Sequence, residues 1–173
     1  MTSVATAACG RHIRPATEAD LPAVLRLNAE WQHVTSPLDG AALAHLHEHA
    51  AYHRVAEVNG QVIAFLLAFG ADAPYDSPNY RWFKTNSAEF LYIDRVVVSG
   101  DHQRGGFGEK LYRDVEEYAR ANGVGRLVCE VDIEPLNAAS DAFHRRHGFV
   151  EVSTQWLPGG AKQVSLRERF LRD

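Results

Sequence analysis

The chain has 173 residues, 46% of them hydrophobic and 23% charged, a size and balance that fit one domain around one core. A formal charge of −4 and a pI near 6.1 argue against nucleic acid as a partner, since a phosphate-binding surface needs clustered Lys and Arg. With only Cys9 and Cys129, neither a disulfide framework nor a cysteine-rich zinc site can be built, and no apolar run approaches the ~20 residues of a membrane span.

Met1 to Gly10 lacks the basic start and apolar block of a secretion signal. It reads as a disordered tail ahead of a single domain over residues 11–173, and a cytoplasmic location is expected. His12 to Ala16 is a short strand. Thr17, with Asp20 three residues on and Pro22 in the first turns, opens a helix to about Trp31. A second helix is expected from Asp39 through Ala50. Tyr52 to Val58 and Gln61 to Phe69 flank Asn59-Gly60, the strongest two-residue hairpin signal. Gly70 to Ala88, with Pro74 and Pro78 and no clear period, reads as a long loop of the kind that borders a binding site.

Glu89 to Val98 is strand-like and runs through Ser99-Gly100-Asp101 into Gln103-Arg104-Gly105-Gly106-Phe107-Gly108. The helix that follows puts Phe107, Leu111, Val115 and Tyr118 on one face. Glu109/Arg113, Lys110/Asp114 and Glu116/Arg120 form i,i+4 pairs expected on the exposed side, and Gly123 is the stop. Arg126 to Val131 is a strand. Asn137 caps a helix to His147, ended by Gly148, and Phe149 to Leu157 and Ala161 to Leu166 form a last hairpin about Pro158-Gly159-Gly160. The order β-α-α-β-β-loop-β-α-β-α-β-β implies an α/β domain with a mixed sheet.

A strand entering a glycine turn and then a helix gathers backbone N–H groups and the positive end of a helix dipole around one concave spot, which suits phosphate. A dinucleotide fingerprint is absent, because the residue three after Gly108 is Leu111. A Walker A loop is absent too, since no Lys-Ser/Thr follows Gly108.

Gln103, Gly106 and Gly108 match [QR]-x-x-G-x-[GA], the phosphate-binding motif of the GNAT acetyltransferase superfamily. Val96-Val97-Val98 before it and Asn137 to Phe149 after it match in order and spacing. Over Glu89 to Phe149 the chain resembles that superfamily, and Tyr75 to Phe83 with Tyr92 to Val98 resembles a bacterial branch of it. The resemblance implies a sheet of about seven strands with a splayed fourth and fifth pair, four helices, and acetyl-CoA as co-substrate without a metal. The pantetheine arm would lie along Val96, Val97 and Val98. Gln103, Arg104, Gly105, Gly106, Phe107, Gly108 and Glu109 would surround the pyrophosphate, and Asn137, Ser140 and Phe143 would touch the arm. The expected partner is a small-molecule or peptide amine, with no nucleic acid and no membrane, and with a homodimer as one assembly the resemblance allows.

Acetyl transfer to an amine needs a group to accept the ammonium proton, a donor for the developing oxyanion and a proton for the thiolate. In strict alternation Tyr92, Asp94 and Val96 share one face of the central strand, opposite Ile93, Arg95 and Val97. Asp94 is then the first candidate base and Glu130 the second, with an Asp94 ion pair to Arg95 or Arg81 as the purely structural alternative. The Val96 N–H is the candidate oxyanion donor, and Tyr75, Trp82 and Tyr92 are candidate walls of the acceptor pocket.

His144 stands seven residues after Asn137, where the family carries a tyrosine that protonates the leaving thiolate. Imidazolium could take that role, or His144 could only pack against the cofactor, or the chain could be a weak or non-catalytic acyl-CoA-binding or regulatory module. His45, His49 and His53 at i,i+4,i+8 would meet a metal only on one long helix. H-E-x-x-H is absent, and a solvated histidine face with no metal is the expectation.

Overall fold

The computed structural model describes residues 10–171. The expected N-terminal tail, apart from Gly10, lies outside the described residues. Seven strands, β1 (Arg11–Pro15), β2 (Tyr52–Val58), β3 (Gln61–Gly70), β4 (Leu91–Val98), β5 (Arg126–Glu134), β6 (Val150–Trp156) and β7 (Gln163–Phe170), form one sheet in the order β1-β2-β3-β4-β5-β7-β6. All neighbours are antiparallel except β4 and β5. No helix among the described residues is long and apolar enough to cross a membrane.

Among the described residues five α-helices accompany the sheet: α1 (Leu21–Glu30), α2 (Gly40–His49), α3 (Pro78–Asn86), α4 (Phe107–Ala121) and α5 (Ala138–Arg146). They divide the core in two. Leu111, Tyr112, Val115 and Ala119 of α4 pack on Ala64, Leu66, Leu91 and Ile93 on one face of the sheet. Leu27 of α1, Leu43 of α2, and Tyr80 and Phe83 of α3 pack on Phe65, Leu67, Phe69 and Tyr92 on the other.

The helix α3, one more than the four expected, corrects the expected loop over 70–88. Ser77 caps α3, its hydroxyl accepting from the Tyr80 N–H at 3.1 Å, and Pro78 takes the first turn, where its missing N–H costs nothing. Tyr80 and Phe83, three residues apart, are fully buried. A nine-residue helix has little stability of its own, so this burial is what holds it.

Packing also redirects charges expected to be solvated on α4. Asp114 turns to β2, accepting from the Tyr52 hydroxyl at 2.7 Å and pairing with Arg54 at 3.0 Å. Glu116 is buried and bonded by Arg169 of β7. Only Glu109–Arg113, at 2.7 Å, and a looser Glu116–Arg120, at 3.8 Å, form along the helix as spacing predicts.

Candidate active site

β4 and β5 pair through only two positions, Leu91 with Leu127 and Tyr92 with Val128. Beyond them the strands part and open a cleft of about 890 Å³. Its floor and walls come from Val96, Val97 and Val98 of β4, Cys129 to Asp132 of β5, and the facing ends of α4 and α5.

At one end lies the glycine turn. Gly106 has φ +76° at the N-cap of α4, and Arg104 before it has φ +67°. A side chain at 106 would therefore be strained. A Cβ on Gly105 would come within 3.0 Å of the His102 carbonyl and the Phe107 ring, whereas one on Gly108 would meet Phe143 of α5 at an ordinary 3.8 Å. Gly105 and Gly106 thus answer to the backbone, while Gly108 keeps the gap between α4 and α5 clear. The first-turn amides of α4 have no partner within the helix, so the turn fits a pyrophosphate. Across the cleft Asn137 caps α5 by accepting from the Ser140 N–H at 3.1 Å, and Gln103, Gly108, Asn137, Ser140 and Phe143 all line the cavity. Trp31 donates its indole N–H to the Val98 carbonyl at 3.1 Å, so one lone pair of that oxygen is already used.

At the other end the pattern of β4 departs from strict alternation. Arg95 lies opposite Leu67 and Ile93 opposite Ala68, which leaves Asp94 as the extra residue of a β-bulge. The bulge puts Arg95 on the side of Asp94 and Tyr92 and turns Val96 to the opposite face. Both Asp94 oxygens are then occupied. One receives the Arg95 Nε–H at 2.6 Å and the other the Tyr75 hydroxyl, while Arg95 also donates to Asn28 at 3.0 Å. Arg81 pairs instead with Asp76, at 3.1 Å. Asp94 thus forms the ion pair with Arg95 that the structural alternative expected.

Glu130, the second candidate, has different surroundings. Its carboxyl lines the cleft, accepts from the Tyr92 hydroxyl at 2.7 Å, and is pushed up to about 8, chiefly by burial and with help from the Asp94 charge. Hydrogen bonds from Tyr92 and from Asn79 of α3 oppose that rise. Asn79 is oriented by Gln155 of β6, which donates to its carbonyl oxygen at 2.5 Å.

His144 is buried between α4 and α5. Its Nδ1 lies 2.8 Å from the Ser140 carbonyl, which can only accept, so the proton sits on Nδ1. Nε2 therefore accepts from the Tyr112 hydroxyl at 2.7 Å. Burial lowers the imidazole to about 4. With the imidazole so lowered and its second nitrogen taken by Tyr112, His144 is uncharged at neutral pH.

Tyr75 and Tyr92 line the cleft, whereas Trp82 is not among its lining residues and packs edge-on to Phe83 at 5.2 Å. Its place is taken by the segment 31–37 after α1 and by Leu157, Pro158 and Lys162 from the β6–β7 turn, Lys162 pairing with Asp132 at 2.7 Å. Sequence reasoning missed Asn79 and Tyr112. The Ser77-Pro78 helix start would have placed Asn79, and Tyr112, four residues after Gly108, falls on the cleft side of α4 by helical spacing alone.

The sequence model described as the Acetyltransferase (GNAT) family matches residues 15–149. No curated protein matches the chain. Among solved structures, Ard1 from Thermoplasma volcanium aligns with a TM-score of 0.77 at 18% identity, covering 94% of this chain and 99% of that one. A ribosomal-protein-alanine N-acetyltransferase from Brucella melitensis aligns at 0.69 and 26%, covering 92% and 99%. YncA, a putative acetyltransferase from Salmonella typhimurium with its cofactor acetyl-CoA, aligns at 0.72 and 22%, covering 95% of each. With a family match over most of its length and the parted strands and glycine turn in place, the chain belongs to the GNAT family of acetyltransferases.

Proposed function

We propose that the protein transfers an acetyl group from acetyl-CoA to a primary amine, with Glu130 receiving the amine's proton. The observation that carries this reading is the Glu130 carboxyl at the fork of β4 and β5, hydrogen-bonded by Tyr92 and raised to about 8. Acetyl-CoA, when bound, supplies an acyl thioester to the fork. Gln103 to Glu109 hold its pyrophosphate and Val96, Val97 and Val98 its pantetheine arm, with Asn137, Ser140 and Phe143 on the facing side.

A base near neutrality both exists in its ionised form and has drive to take a proton from an ammonium. Bringing an ammonium beside Glu130 favours the carboxylate further, because opposite charges in a poorly solvated site stabilise each other. The Val96 N–H is the donor for the developing oxyanion. Tyr75 and Tyr92 form the aromatic wall against which the acceptor's carbon skeleton rests. His144, uncharged and bonded to Tyr112, packs the cleft floor, and the departing CoA thiolate takes up the second proton that the attacked nitrogen sheds.

The test is CoA release over a panel of amines, together with the rise in melting temperature on adding acetyl-CoA. Turnover with at least one amine, abolished in Glu130→Gln while the thermal shift persists, supports the reading. A thermal shift with no CoA release from any amine class would make the protein a non-catalytic acyl-CoA-binding module.

A further inference from the structure

We propose that the last turn of α2 is a divalent-cation site in which His45, Glu48 and His49 hold a zinc ion. The helix ends at His49, where Ala50 turns extended, so His53 falls on β2 and leaves the series of three histidines that the spacing suggests. His53 instead meets His47 inside the protein, the two Nδ1 atoms 2.8 Å apart. Positions 45, 48 and 49 stand at i, i+3 and i+4 and share the opposite side, where His45 and Glu48 are exposed and His49 is half-buried.

Three features prepare that side for a cation. A ligand atom from each residue lies within 4.8 Å of the other two, and exposed side chains can close the remaining distance to the ~2.0–2.2 Å bonds of zinc. His49 Nδ1 lies 2.9 Å from the His45 carbonyl, which can only accept, so in the neutral ring Nδ1 carries the proton and Nε2 the lone pair, the outer-shell arrangement that orients metal-ligating histidines. The ligands also sit at the C-terminus of a helix, where the backbone dipole favours positive charge. Two imidazoles and a carboxylate suit zinc, nickel or copper over magnesium or calcium. Solvent completes the coordination.

Untagged full-length protein, stripped with chelator, is titrated with ZnCl2 by calorimetry. One equivalent binds. His45→Ala and His49→Ala each weaken binding by at least about tenfold, the lower end of what losing even an outer-shell partner costs. Glu48→Gln weakens it less, and His47→Ala leaves it unchanged. Absence of saturable binding overturns the proposal, as does binding that survives the His45→Ala/His49→Ala double variant. Loss in His47→Ala with retention in His45→Ala would move the ion to the buried histidine pair and equally overturn it.

Discussion

The two ends of the cleft are built from different materials. The cofactor end is mostly backbone, made of a turn of positive φ at Arg104 and Gly106, the open amides of α4 and the parted edge of β4, all contiguous in sequence. The acceptor end is side chain, assembled from the α1–α2 connection, α3, the β4 bulge, β5 and the β6–β7 turn. A backbone site is written in glycines at fixed spacing. A side-chain site depends on which distant residues packing brings together, so the same fold can host different acceptors.

The sharpest test of this contrast is Glu130→Gln. Loss of the base is expected to cut kcat by about 10²–10⁴-fold with the acetyl-CoA thermal shift retained, separating the two ends by steady-state kinetics and melting curves. Wild-type kcat/KM should rise with pH as Glu130 ionises near 8, and the variant should lack that limb. Wild-type turnover in Glu130→Gln would return the base role to another group.

Asp94→Ala comes next, and its effect is on stability. It strips the charge partner from Arg95, whose side chain is only 9% exposed, and is expected to cost about 3–5 kcal/mol in denaturant unfolding. Asp94→Asn should keep far more turnover than Glu130→Gln. A greater loss of turnover in Asp94→Asn would restore Asp94 as the base.

At the cofactor end, Gly106→Val and Gly108→Phe should abolish an acetyl-CoA stabilisation that reaches about 2.7 kcal/mol at a hundredfold excess over Kd, with NAD and ATP giving none in the wild type. The two variants should differ without ligand. Gly106→Val loses stability because it must adopt φ +76°, whereas Gly108→Phe first meets the movable Phe143 ring. An unchanged shift in both would refute the phosphate cradle.

The smallest kinetic effect is expected at His144. A neutral imidazole donates no proton, so His144→Phe should leave the pH–rate profile unchanged and turnover within a few-fold. An alkaline limb in the imidazole range, lost in the variant, would reinstate it as the acid. Its signature is in stability instead. Because burial lowers the folded-state value to about 4 from an unfolded value near 6.5, its contribution is complete above about 6.5 and declines as pH falls toward 4. Chemical unfolding between pH 7 and 4 reads that slope together with that of His53, which burial also lowers to about 4, and His144→Phe should lessen it.

Local signals made most of the order of elements along the chain, α4, the glycine turn and Asn137 legible, because each rests on a short-range rule of turn chemistry, capping or period. Glu130 and Asp94 could be named from sequence but their surroundings could not, since the bulge at Asp94 brings Arg95 to the same side and Tyr75 arrives from a segment nineteen residues away, and our proposal ranks Glu130 first on that ground. Likewise His144 had the right position for a proton donor, and only its contacts with Ser140 and Tyr112, with the burial they bring, decided its charge. Sequence by itself determined the cofactor half, since amides and glycines act through the backbone they belong to. Tertiary structure decided the acceptor half, since the protonation of a carboxyl or an imidazole is set by desolvation and by neighbours the chain supplies only after it folds.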